Sequence, residues 1–226
     1  MFFNGMQKVL VLAPHMDDEV IGCGGSLLKH RDANRELAVL YLTDGSHFMQ
    51  DSIDCEALRT IRKREAEQVS RLLGMKSYFL NVPDRTLAYN PEIIHQIICI
   101  LQDYQPDIVY VPHCGEADRE HRLCNEIYSE ACWLAEDIYA LKWKRSMNTP
   151  KVVLEYEIWT PLAKPQYLED INRYMKQKVE LINLYSSQRR FCDYAQAFEM
   201  LNGYRGTMQT GNLSYAEAFA FKKLII

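Results

Sequence analysis

Four short apolar runs, "KVLVLAP" (8–14), "ELAVLYLTD" (36–44), "SYFLNVP" (77–83) and "DIVYVP" (107–112), are each followed by a segment of helical period. Runs this uniformly apolar suit strands covered on both faces, the condition of a parallel sheet. The intervening segments carry helix punctuation. "GGSLLKHRDAN" opens on glycine, "CEALRTIRKREAEQVSRLLG" ends on Gly74 as a C′ residue, and "PEIIHQIICILQDY" begins with proline at a permitted first-turn position. "HRLCNEIYSEACWLAEDIYAL" follows the fourth run as another amphipathic helix. This order predicts an α/β fold: one Rossmann-like domain over residues 1–226, with a mostly parallel sheet, right-handed crossovers and helices on both faces. "KVVLEYEIWTPL" (151–162) reads as a further strand, "YLEDINRYMKQKVELINLYSSQ" (167–188) as a helix, and the rest as a polar, glycine-containing tail to "SYAEAFAF". In that helix Ile171, Tyr174, Met175, Val179, Ile182 and Tyr185 form a packing stripe, suited to the core or to a contact between subunits of a homo-oligomer.

In open α/β sheets functional groups gather beyond the carboxyl ends of the strands. There the first run continues as "LAPHMDDEVIGCGG" (12–25), with a histidine, three acids and a glycine cluster. Phosphate binding is one reading, because the glycines precede a helix whose N-terminus attracts anions. The acids oppose it, and the stretch matches neither nucleotide-binding glycine motif. A second reading is that Asp17, Asp18 and Glu19 cap a helix beginning near Gly22, which leaves the histidine unexplained. The third is a divalent cation. A histidine and an aspartate three residues apart reach one ion from a tight turn, and the adjacent acid works on a bound water. That is the composition of a hydrolytic zinc site, which needs three protein ligands and an open position.

The missing ligand has five other histidines to come from. His95 lies within a helix, His30 sits late in the first helix facing away from the strand ends, and His47 follows the second strand. His113 and His121 flank the loop after the fourth strand, which is placed to face the first.

Composition narrows the partners. With 26 basic and 30 acidic residues the net charge is -4, which disfavours nucleic acid. Seven cysteines without a Cys-x-x-Cys spacing read as reduced thiols. The N-terminal stretch has neither a basic n-region nor an apolar run of membrane-spanning length, so no membrane span and a cytoplasmic location are expected.

"PHMDDE" resembles the hallmark of the PIG-L/LmbE family of zinc-dependent N-acetyl-sugar deacetylases, with Met16 in place of a proline. The likeness continues through "GCGGSL", "TDGS", "RKREAEQVSRLLG", "VPDRTL", "DREHR", "YSSQ" and "YAEAF", covering nearly the whole chain. The resemblance implies that His15, Asp18 and His121 bind Zn2+ and that Asp17 is the general base. The chain departs at the family's His-x-Asp-His element, which reads Asp118-Arg119-Glu120-His121 and lacks the first histidine in register. His113, eight residues upstream of His121, is the candidate to supply that imidazole in catalysis. Glu19 and Asp44 would orient a ligand or hold the loop. Arg62, with Glu65 three residues on, would lie near the substrate, the alternative being a surface pair. Asp84 is at the correct edge for sugar hydroxyls.

The expected activity is hydrolysis of the acetamide of a small-molecule N-acetylated sugar or sugar conjugate, releasing acetate and a free amine. Two alternatives are an amidase acting on another N-acyl glycoconjugate and a non-catalytic sugar-binding relative that kept the fold.

Overall fold

A computed structural model describes residues 3, 5–46, 55–136, 148–189, 192–210 and 215–225. Each apolar run becomes a strand: β1 (Lys8–Ala13), β2 (Glu36–Thr43), β3 (Met75–Val82) and β4 (Ile108–Pro112). Helices α1 (Asp18–Asp32), α2 (Cys55–Leu73), α3 (Pro91–Tyr104) and α4 (Arg119–Glu136) alternate with them, and β5 (Val152–Tyr156) follows. Residues 137–141, expected to extend the fourth helix, lie outside the described residues. The predicted punctuation holds for α2 and α3, whereas α1 opens at Asp18, ahead of the glycines. Gly74 takes the left-handed φ of 64° after α2, and Asn90 caps α3 by accepting from Glu92 N at 2.7 Å, just ahead of Pro91.

Strands β1 to β5 are mutually parallel, and alternate residues of β1 enter different cores. Val9, Val11 and Ala13 pack with residues of α1, α2 and the C-terminal helices, while Leu10 and Leu12 pack with α3 and α4. Two cores, one on each face, are what make β1 apolar from Val9 to Ala13. The sheet order is β3-β2-β1-β4-β5-β7-β6. The chain therefore reverses direction of winding between β1 and β4, and the loops beyond their carboxyl ends diverge there to leave a crevice.

The C-terminal third departs from expectation. The segment expected as one helix from 167 divides into β6 (Tyr167–Asp170) and α5 (Met175–Asn183), and the tail forms α6 (Tyr194–Thr210) and β7 (Ala216–Leu224). β7 runs antiparallel to both β5 and β6. A four-residue strand is too short to show a period, and its conformation is set by a distant partner: Tyr167 lies opposite Phe219 and stacks on it. Of the stripe, Ile171, Met175, Ile182 and Tyr185 are buried in the core and Tyr174 and Val179 are partly buried against it.

The glycine cluster reflects close packing. A Cβ at Gly22 would lie 2.3 Å from the Tyr156 ring, and one at Gly25 would lie 2.6 Å from Ile171. Helix α1 is also broken at Cys23, whose φ is -142°. The buried Glu217 of β7 compensates by accepting from Gly25 N and Ser26 N, each at 2.8 Å. Lys178 of α5 balances that carboxylate at 2.7 Å and also reaches Asn202 at 2.9 Å. Among the described residues no helix is long and apolar enough to cross a membrane.

His30 faces away from the strand ends, as expected, and is buried between the Tyr110 hydroxyl at 2.8 Å and Arg35 at 2.7 Å. Burial, aided by the charges of Arg35 and Lys29, depresses its pKa to about 3. The unfolded chain therefore binds this proton below about pH 6.5 while the folded chain refuses it, so stability falls as pH drops from 6.5 toward 3. The share from His30 is roughly 2–3 kcal/mol at pH 4.5. Urea unfolding of wild type and His30→Asn at pH 7.5 and 4.5 should show that share of the acid loss missing from the variant.

Candidate metal centre and active site

β1 ends in a strained elbow. Asp17 adopts φ 151° and ψ -25°, a region that costs a non-glycine residue energy and is tolerated only when its surroundings insist on it. They do. Thr43 of β2 donates through N and Oγ1 to Pro14 O at 3.0 and 2.8 Å. Arg62 Nη2 donates to Met16 O at 2.7 Å, and Asp17 N donates to Glu19 Oε2 at 3.2 Å. Tyr185, from "YSSQ", donates to the other oxygen of Glu19. Helix α1 begins at Asp18 rather than near Gly22, and Asp17 makes no side-chain capping bond, so capping does not account for the acids.

The elbow brings His15 and Asp18 against His121 in the first turn of α4. Asp18 Oδ2 lies 3.2 Å from His15 Nδ1 and 3.3 Å from His121 Nε2, and the two ring nitrogens are 3.3 Å apart. These three atoms form a nearly equilateral triangle in a buried site. Ligands about 2.0–2.1 Å from a tetrahedral zinc are separated by about 3.3 Å along each edge of the tetrahedron. The donors His15, Asp18 and His121 therefore fit a zinc-sized ion in type, number and mutual spacing, leaving a fourth position for water or substrate.

The far sides of both rings are backed by acids. Glu120 Oε2 lies 2.9 Å from His15 Nε2, and Asp84 Oδ1 lies 3.4 Å from the same nitrogen. A proton on Nε2 facing those carboxylates leaves the Nδ1 lone pair for a cation. Glu116 Oε2 lies 3.6 Å from His121 Nδ1 and favours the same polarity on that ring. Burial works to depress His121, but the negative Asp18 beside it overcomes this and lifts it to about 9. Burial likewise works to raise Asp18, and the two imidazoles reverse it, holding its carboxyl well below the ordinary range. The metal-free cluster thus gathers positive charge as protons, which a divalent ion displaces on binding.

Asp17 is set apart from this exchange. Burial pushes it up to about 7 against the opposing pull of Arg62, whose Nη2 lies 3.2 Å from Asp17 Oδ1. A carboxylate titrating near neutrality beside a metal-binding triangle is matched to general base work. Arg62 is buried and turned toward the elbow, which excludes the surface-pair reading, and Glu65 binds Ser186 Oγ and Ser187 N at 2.8 and 2.9 Å.

Two expected roles do not match their geometry. His113 stands outside the triangle with both ring nitrogens engaged: Gly115 N donates to Nδ1 at 3.1 Å, and Nε2 donates to Thr160 O at 2.7 Å. Asp84 is buried against the ring of His15 rather than turned to sugar hydroxyls. Asp44 holds its loop, with Oδ1 accepting from Ser46 N at 2.9 Å and Asp84 N at 3.1 Å. His47 lies outside the described residues.

The altered element is absorbed without loss of the triangle. Asp118 caps α4 by accepting from Glu120 N at 2.7 Å, and Glu120 reaches His15. The model for the family described as GlcNAc-PI de-N-acetylase, PIG-L, matches residues 10–132, which contain all three donors and Asp17. This chain belongs to the PIG-L family. It is 27% identical over 200 residues to the diacetylchitobiose deacetylase of Thermococcus kodakarensis, covering 82% of this chain and 72% of the relative. The structure of N,N'-diacetylchitobiose deacetylase from Pyrococcus horikoshii, complexed with its inhibitor MPG, superposes with a TM-score of 0.83 at 29% identity. That match covers 97% of this chain and 85% of the other. A 4-carboxy-2-hydroxymuconate hydratase from Pseudomonas putida shares the fold, with a TM-score of 0.86, 19% identity and 98% coverage of each chain. The fold alone therefore does not name the reaction.

Sequence reasoning passed over Glu116 and treated Glu120 only as a departure. The available signal was spacing: both are acids within one turn or so of a candidate ligand. If Glu120 sets the polarity of the His15 ring, Glu120→Gln should weaken zinc binding by roughly 10–100-fold. His121→Ala should abolish stoichiometric binding. Mass spectrometry of metal content and competition with a chromogenic chelator measure both.

Proposed function

We propose that this PIG-L protein is a zinc-dependent hydrolase that removes the acetyl group from an N-acetylated amino sugar or glycoconjugate, yielding acetate and a free amine. The carrying observation is the triangle of His15, Asp18 and His121 with Asp17 beside it. Names of the relatives support the substrate class, since two of them are deacetylases of diacetylchitobiose. A zinc ion held there supplies Lewis acidity toward the amide carbonyl and makes a bound water acidic enough to react at neutral pH.

The chain's own groups handle the protons. Asp17 takes a proton as water adds to the carbonyl carbon, its burial making it more basic than an exposed carboxylate. The amide nitrogen must then gain a proton before the C–N bond breaks. With both nitrogens of His113 engaged, we assign that delivery to Asp17, which holds the proton it has just received. Arg62 keeps the Asp17 carboxyl oriented and its basicity bounded. His113 and Glu116 hold the loop after β4, and Asp84 and Glu120 hold His15. The sugar-binding alternative drew on the altered element at 118–120; Glu120 in contact with His15 gives that element a part in ligation.

Asp17→Asn tests this assignment. Acetate release from N-acetylglucosamine and N,N'-diacetylchitobiose is expected to fall by roughly 10²–10⁴-fold. Zinc content should stay near one ion per chain, as in wild type. Loss of the metal in this variant would reverse the assignment of base and ligand.

A further inference from the structure

Three consecutive backbone N–H groups converge on one buried carboxylate beside the site. Glu116 accepts from Ile158 N at 2.6 Å, Trp159 N at 3.1 Å and Thr160 N at 3.3 Å. The same carboxylate is the one that faces His121 Nδ1 at 3.6 Å. The segment after β5 is thereby fixed to the metal-binding loop, two contacts from a ligand. Thr160 strengthens the tie, accepting from His113 through its carbonyl at 2.7 Å and from Ala117 N through Oγ1 at 2.9 Å.

What this rigid segment presents is an indole. Trp159 is 50% exposed although its N–H and those of both neighbours are bound to Glu116. Its ring meets Tyr194, at the start of α6, with centroids 5.8 Å apart and planes at 72°. Tyr194 is half-buried against the core beneath the site, near enough for the site's charges to act on it. Burial raises its phenol to about 12, and the charges of Asp17 and Asp18 contribute. An exposed large aromatic on a preorganised backbone, braced edge-on by a second, is costly in water and suited to receiving a flat apolar surface. A pyranose ring has such a surface in its axial C–H face.

We propose that Trp159, braced by Tyr194, is the stacking platform that receives the pyranose ring of the substrate. It makes the site one for ring-bearing N-acetyl sugars rather than for acetamides in general. The inference rests on the deacetylase reading and deepens it. Glu116 is then a positioning residue with two clients, the ligand His121 on one side and the platform on the other.

The test uses zinc-loaded protein with N,N'-diacetylchitobiose as probe, comparing wild type, Trp159→Ala and Trp159→Phe by acetate release. Trp159→Ala should raise KM about tenfold and change kcat by less than about threefold, with Trp159→Phe restoring most of the loss. Calorimetric binding of the same probe to Asp17→Asn, with and without Trp159→Ala, should show a matching weakening of about tenfold. A KM and a Kd insensitive to Trp159→Ala would overturn the platform while leaving the deacetylase reading intact. A wild type that binds the probe through Trp159 but releases no acetate would overturn the deacetylase reading and uphold the platform. Absence of both binding and turnover overturns the two together.

Discussion

Three side-chain atoms, His15 Nδ1, Asp18 Oδ2 and His121 Nε2, sit 3.2–3.3 Å apart in a buried site although His15 and His121 are 106 residues apart in the chain. The crevice between β1 and β4 exists because strand order reverses there, and both ligand-bearing segments leave the sheet at that point. The elbow at Asp17 turns the chain sharply enough for His15 and Asp18 to converge. Its strain is offset by bonds from Thr43, Glu19 and Arg62, which draw β2, α1 and α2 into supporting the same few atoms.

The surrounding acids show how so much like charge is tolerated. Each has a separate partner: Glu19 takes Tyr185 and the Asp17 amide, Glu116 takes three backbone N–H groups, and Glu120 takes His15 and Leu87 N. Burial, opposed by Arg62 at Asp17 and by the Tyr185 hydroxyl at Glu19, pushes these two toward their neutral forms, to about 7 and about 8 respectively. Contact with the imidazoles does the opposite for Asp18. Adjacent carboxylates in one turn are thereby split by environment into one held ionised beside the imidazoles and one raised toward its neutral form.

Much of this was legible in the sequence where the physics is local. Strands β1, β2 and β4 announce themselves because both faces are buried, and the donors of the first loop because acids crowd where a strand must end. The last third was not legible in the same way. The four residues of β6 sit in a segment whose apolar residues follow a helical spacing, and its conformation comes from pairing with β7, about fifty residues away. Glu120 read as a loss because the resemblance called for a different element there; only the folded arrangement shows its carboxylate behind His15. His113 and Asp84 stand at the expected edge, yet their side chains turn to the backbone and to the ligand ring, orientations that position along a strand does not determine. The glycines of "GCGG" looked like a loop motif and serve helix packing against Tyr156 and Ile171.

The break in α1 at Cys23 is bridged by Glu217, which lies 192 residues further along the chain from Gly25. The helix that opens on Asp18, a corner of the triangle, is therefore completed by a strand distant in the sequence. Two backbone N–H groups of α1 stay unmatched, and β6 lacks its pairing neighbour, until β7 arrives. Such long-range closure is slow and leaves apolar surface open in the interim. Formation of the centre is thus coupled to the docking of β7, because the helix that carries Asp18 is locked in place only when Glu217 reaches it.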